Sequence, residues 1–178
     1  VNDYSVNYMW GTTGIGYNEA KVKERLPNAE VDSWKILFDK EQVSKLADCG
    51  VYVLDAPDEV LATTLNYLGL DPNSTKEADL KKAEELLLSI RPYIKKFHSS
   101  EYINALANGD ICVAVGYSGD ILQARNRAAE ANNGVTINYV IPKEGANMWF
   151  DIMAIPKDAP NPDAAHAFMN FMMKPDVI

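Results

Sequence analysis

Short apolar runs suited to buried strands alternate along this chain with helical stretches, and that alternation leaves few folds open. Ile111-Cys-Val-Ala-Val115 is the clearest run, Val51-Tyr-Val-Leu54 is a second, and Val135 to Ile141 and Trp149 to Ile155 are two more. Near the start, Tyr4, Val6 and Tyr8 alternate with Ser5, Asn7 and Met9, the two-residue period of a strand. Helix signals lie between the runs. Asn18 to Leu26 stops at Pro27, and Ser33 to Leu46 reads as one or two helices. Asp55 is an N-cap candidate for a helix from Pro57 through Leu68. The longest signal runs from a Ser74/Thr75 cap to about Lys96, with Leu80, Ala83, Leu87, Ile90 and Ile94 spaced three and four apart and Pro92 kinking or dividing it. Three more helices are expected: Ser99/Ser100 to Ala107, Asp120 to Asn132 with a left-handed cap at Asn133-Gly134, and Pro162 to Met173 behind an Asn161 cap. The pattern predicts an α/β fold, a parallel or mixed sheet flanked by helices. The 178 residues suffice for one domain, or one domain with part of a second.

Charge narrows the partners. Seventeen basic side chains against 25 acidic ones give a net charge of -8. Such a surface repels phosphate backbones, no basic cluster is denser than Lys95-Lys96, and a cationic partner is favoured over nucleic acid. The longest unbroken apolar stretch, Ile111 to Val115, is far too short to insert in a membrane. No basic segment followed by an apolar one opens the sequence, so a targeting signal is not part of it.

Few motifs carry chemistry. Gly11, Gly14 and Gly16 follow a strand and precede a helix, but their order is not that of a dinucleotide cradle and no Gly-Lys-Ser/Thr follows, so they read as a mobile hinge or tight turn. Gly116-Tyr-Ser-Gly119 reads as a loop whose second glycine comes one position too early for a nucleophile elbow. His98 and His166 sit where capping and packing account for them, and two histidines with two separated cysteines offer no metal-ligand spacing. Cys49 and Cys112 each adjoin a strand, which leaves buried thiols and a disulfide equally open. What remains are carboxylates and aromatics beyond strand ends, where open α/β sheets bind ligands: Asp55, Asp58 and Glu59, then Tyr117 and Asp120, then Trp149 and Asp151. Carboxylates bind an ammonium by charge-assisted hydrogen bonds, and aromatic faces add cation–π attraction. That set suits an organic polycation; helix caps with core aromatics, or an acid/base pair, would use the same residue types.

Specific stretches add a resemblance. Tyr4-Ser-Val-Asn-Tyr-Met-Trp-Gly-Thr-Thr-Gly-Ile-Gly-Tyr17, Asp71-Pro-Asn-Ser-Thr75, Phe97-His-Ser-Ser100, Ala107-Asn-Gly-Asp-Ile-Cys-Val-Ala-Val-Gly-Tyr-Ser-Gly-Asp120, Ile141-Pro-Lys-Glu-Gly-Ala146 and Phe150-Asp151 resemble the periplasmic putrescine/spermidine-binding proteins of bacterial ABC importers. The resemblance implies a type II periplasmic-binding-protein fold of two α/β lobes closing on a polyamine. Residues 9–147 would form a complete lobe, 1–8 a hinge strand, and 148–178 a hinge strand and helix of another, incomplete lobe. It implies ligand residues at Asp58, Tyr117, Asp120, Trp149 and Asp151, a disulfide between Cys49 and Cys112, permease partners, a periplasmic location, and no catalytic residue, cofactor or metal. On this reading the chain is an internal fragment. An acid/base enzyme using Asp120 and Asp151 on an amine or sugar is the alternative.

Overall fold

The computed structural model describes residues 5–177; Tyr4, the first residue of the expected opening strand, lies outside them. The elements in chain order are β1 (Ser5–Asn18), α1 (Glu19–Arg25), α2 (Lys35–Phe38), α3 (Lys40–Leu46), β2 (Val51–Val53), α4 (Pro57–Tyr67), α5 (Glu77–Ile90), β3 (Lys96–Phe97), α6 (Glu101–Ala107), β4 (Val113–Tyr117), α7 (Ser118–Ala131), β5 (Ile137–Val140), β6 (Met148–Ala154) and α8 (Pro162–Met172). They fall into two compact units. One holds residues 12–147; the other holds the chain up to Gly11 together with Met148 onward.

In the first unit the strand order is β3-β2-β4-β1-β5. Strand β2 runs parallel to β3 and β4, whereas β1 is antiparallel to β4 and β5, so the sheet is mixed as expected. The largest departure from the sequence reading is β1. The expected glycine hinge is neither turn nor loop: Gly11, Gly14 and Gly16 all lie within the 14-residue strand. The cause is the small face that β1 and β4 build together. Gly14 pairs with Gly116 and Gly16 with Ala114, so these four positions share one face, while Ile15, Tyr17, Val113 and Val115 point the other way. A Cβ at Gly16 would sit 2.7 Å from Ile121 Cγ2 of α7, and one at Gly116 only 2.5 Å from the Tyr102 ring of α6. Glycine is required here for close approach of helices to the sheet, not for flexibility. The small face carries a core with Tyr102, Leu106, Ile121 and Ile137, and the β-branched face carries a larger one around Trp34, Leu37, Val43 and Leu46.

Other boundaries moved for local reasons. The long helical signal ends at Ile90: Pro92 lacks the N–H that would continue the helix, residues Arg91–Tyr93 tighten into a 3-10 turn, and the chain is diverted to the sheet edge as β3. Two residues, Lys96 and Phe97, are too few for any period to reveal as a strand. Gly116 and Tyr117 end β4, and Ser118 opens α7, so the expected loop is a direct strand-to-helix step. Asp55 caps nothing; α4 opens at Pro57, with Ala56 at the N-cap position and no side-chain cap. The cap of α7 is the left-handed Asn132, one position before the expected pair, and Gly134 of that pair has a positive φ as well. His98 does cap, through Nδ1, which accepts from the backbone N–H groups of Ser100 and Glu101 at the start of α6 (3.2 and 3.1 Å). His166 is exposed on α8 and packs into no core. In the second unit β6 pairs with β1, and α8 buries none of its residues.

Cys49 and Cys112 form a disulfide, with Cα atoms 5.6 Å apart. The parallel register Val51↔Val113 brings the residues just before β2 and β4 side by side, and Cys112 N–H donates to Gly50 O at 3.0 Å. The loop between β5 and β6 is tied down too. Trp34 Nε1 donates to Gly145 O (2.8 Å), Asn66 Nδ2 to Glu144 O (2.8 Å), and Trp34 N–H to Glu144 Oε2 (3.1 Å).

Two stability measurements check this account. Replacing both cysteines by serine frees a loop of sequence separation 63, and denaturant unfolding should show a loss of about 4 kcal/mol from the chain-entropy relation. Gly14→Ala places a Cβ 2.6 Å from the Val140 carbonyl oxygen and should cost about 1–3 kcal/mol, whereas Gly119→Ala, in a helix and facing open space, should cost nothing. Equal melting temperatures for the two glycine variants would contradict the close-packed reading of β1.

Candidate functional site

Within residues 12–147 one end of the sheet gathers acidic and aromatic side chains. Tyr117 is the last residue of β4 and Asp120 stands in the first turn of α7. The register places Thr13 of β1 directly opposite Tyr117. Helix α4, which follows β2, contributes Asp58 and Glu59 from its own first turn. Both acidic clusters stand at helix N-termini, where the helix dipole favours negative charge.

The electrostatics show that these groups converge. Burial raises the Tyr117 phenol above its usual range, and the negative charges of Glu59, Asp58 and Asp120, in that order, raise it further. Three carboxylates thus lie close enough to the half-buried Tyr117 for their charge to act on its phenol. Asp58 is exposed, while Glu59 is half-buried. Glu59 Oε2 accepts from Thr13 Oγ1 at 2.8 Å and from Asn147 Nδ2 at 2.9 Å, and Asn147 Nδ2 also reaches Glu59 O at 3.2 Å. Thr13 N–H donates to Asn147 O at 3.0 Å, which closes the cluster. Ser118 Oγ accepts from Thr12 N–H (3.3 Å), and Tyr139 OH meets Thr12 Oγ1 at 2.6 Å.

Asp120 is fixed by a residue that sequence reasoning passed over. Tyr102, fully buried on α6, donates its hydroxyl to Asp120 Oδ2 at 2.6 Å and accepts from Tyr117 N–H at 3.1 Å. Burial, then the bond to Asp120, push the Tyr102 phenol far above its ordinary range. Nothing in the sequence separates Tyr102 from any other aromatic on a helix. Glu59 was visible beside Asp58, but only the fold reveals that it is the one turned inward. Of the other expected ligand residues, Trp149 is half-buried and Asp151 exposed, at alternate positions of β6 and so on one face of that strand.

Chemically, such an arrangement holds cations. A carboxylate can accept charge-assisted hydrogen bonds from an ammonium group, and an aromatic face can attract a cation lying over it. Among the described residues no cluster of His, Cys, Asp and Glu could hold a metal ion, and no helix is long and apolar enough to cross a membrane. A cavity of about 650 Å³ lies elsewhere, between α4 and α5, walled mainly by Leu37, Leu61, Leu80, Leu87 and Phe97. Its lining is mostly hydrocarbon, and the acidic side chains it does have, Glu77 and Glu84, stand with Lys81 and Arg91, so it offers little to a polycation.

The raised tyrosines have a measurable consequence. Both bind their protons more tightly when folded than at the unfolded value of 10.0, so their stabilising contribution is complete below that pH and declines as pH climbs above it. Urea unfolding should show stability dropping above about pH 10, and Tyr102→Phe should flatten that drop. An unchanged alkaline slope in Tyr102→Phe would argue against the buried phenol.

Comparison with known proteins bears on this site. The family model for bacterial extracellular solute-binding proteins matches residues 1–178. The chain is 57% identical over 178 residues to the putrescine-binding periplasmic protein SpuD of Pseudomonas aeruginosa, and 58% identical over 179 residues to the putrescine-binding periplasmic protein PotF of Escherichia coli. Each alignment covers 99% of this chain and 48% of the relative, so the chain spans about half the length of the relatives it matches. A crystal structure of the spermidine/putrescine ABC transporter substrate-binding protein PotD from Streptococcus pneumoniae superposes with a TM-score of 0.76 at 32% identity, over 98% of this chain and 49% of that one.

Proposed function

This chain belongs to the bacterial extracellular solute-binding proteins, and from that premise we propose that it captures a polyamine, putrescine or spermidine, outside the cytoplasm and passes it unchanged to the permease subunits of an ABC importer. The observation that carries the reading is the placement of Asp58 and Glu59 in the first turn of α4 and of Asp120 in the first turn of α7, beyond the neighbouring parallel strands β2 and β4, the second of which ends at Tyr117. A linear dication or trication is the ligand whose charge that cluster complements. The names of SpuD, PotF and PotD support the same substrate class.

The ligand set on this proposal is Asp58, Tyr117, Asp120, Trp149 and Asp151, with Glu59 added from its inward placement. The lobe organisation proposed is a complete α/β lobe over residues 9–147, with 1–8 and 148–178 as hinge strands and a helix of a second lobe. The protein acts by binding and release rather than by catalysis, in the periplasm, with the permease as its partner.

Calorimetric titration of the native protein with putrescine and spermidine tests this directly. Asp120→Ala and Asp151→Ala should each weaken binding by about 2–5 kcal/mol, the cost of leaving a buried ammonium without its carboxylate. Affinities within about threefold of the native value for both variants would remove these residues from the site.

A further inference from the structure

Asp120 stands in the first turn of α7, where a carboxylate commonly folds back onto the helix's own N–H groups. Here Oδ2 instead accepts from Tyr102 OH at 2.6 Å. We infer that Tyr102 is the positioning residue of the ligand site: its hydroxyl clamps Asp120 Oδ2 and leaves Oδ1 to receive an ammonium. This rests on the reading of Asp120 as a ligand residue.

Three features make Tyr102 suited to that role. Its ring is fully buried and lies across Gly116, where a Cβ would come within 2.5 Å of it, so the ring cannot swing. Its hydroxyl is held from a second side by Tyr117 N–H at 3.1 Å, which ties the clamp to the backbone of the strand carrying the site's aromatic ring. Its phenol stays protonated, because burial and the neighbouring carboxylate both oppose ionisation, so it always donates and never competes as an anion. The helix carrying Tyr102 is itself started by the His98 cap two residues before Ser100. The clamp trades one carboxylate lone pair for a fixed orientation, so the carboxylate is arranged before the ligand arrives and less entropy is lost on binding.

The test is a double-mutant cycle read by calorimetry with putrescine, on the native protein, Tyr102→Phe, Asp120→Ala and the double variant. Tyr102→Phe keeps the ring on Gly116 and removes only the hydroxyl. It should weaken binding about tenfold, the effect of losing a hydrogen bond to a charged group. In the Asp120→Ala background the same change should weaken binding no further, because a positioning residue acts only through what it positions. A purely structural hydroxyl would lower affinity by the same factor in both backgrounds, and that result overturns the inference. So does a Tyr102→Phe affinity within about twofold of native while Asp120→Ala binds poorly, an outcome that leaves the polyamine reading standing. If Asp120→Ala binds like the native protein, the assignment of Asp120 falls and this inference with it. Asp120→Glu is the second variant, with Tyr102 intact. It keeps the charge but shifts the carboxylate off the clamp, and should weaken binding about as much as Tyr102→Phe; native affinity for it would equally overturn the inference.

Discussion

The close approach of helices α6 and α7 to strands β1 and β4 is the constraint on which the rest of this structure depends. It is possible only because Gly14, Gly16, Ala114 and Gly116 leave one face of the paired strands almost bare of side chains. Tyr102 and Ile121 fill that space from the helices. Ordinary β-branched residues at positions 16 and 116 would hold α7 and α6 farther from the sheet, and the Tyr102 hydroxyl would no longer reach both Asp120 and the Tyr117 N–H. Packing and site are thus one arrangement: the ring that completes the core on the small face also carries the hydroxyl that orients a carboxylate.

A second layer of organisation is polar. Glu59 gathers Thr13 and Asn147, which lie at the two places where the chain enters and leaves the 12–147 unit. Its half-burial is tolerated because both donors are neutral amide or hydroxyl groups that satisfy the carboxylate without cancelling its charge. Hydrogen bonds organise this charge, and a cationic ligand is what would complement it. The disulfide plays a different part. It joins the segments leading into β2 and β4, whose parallel pairing spans a long connection, and so acts chiefly on the unfolded chain.

Much of the fold could be read in advance where a pattern was long enough to repeat. The mixed α/β layering followed from strand-like runs alternating with helices, and seven of the helices sit within a few residues of their signals because Pro, Gly and Asn mark their ends. The failures share a cause. Glycines inside β1 looked like a hinge because local propensity records flexibility, while the demand for bare backbone comes from Tyr139 beside Gly14 and Ile121 beside Gly16, both far along the chain. Strand β3 was hidden by its length and by Pro92, which sends the chain to the sheet edge without any apolar period to announce it.

By itself the sequence determined the family, since several long specific motifs are local facts, and it offered acidic and aromatic residues beyond strand ends as candidates for a site. It also determined that the surface favours a cationic partner, because net charge needs no fold to be counted. Only the tertiary structure decided which carboxylates meet. Glu59 and Asp58 are neighbours in the chain, yet one turns into the Thr13 and Asn147 cluster and the other into solvent, a choice made by helix rotation against the sheet. Likewise Tyr102 and Asp120 lie 18 residues apart on different helices, and their bond exists only because glycine at 116 lets a ring lie where a side chain would otherwise stand.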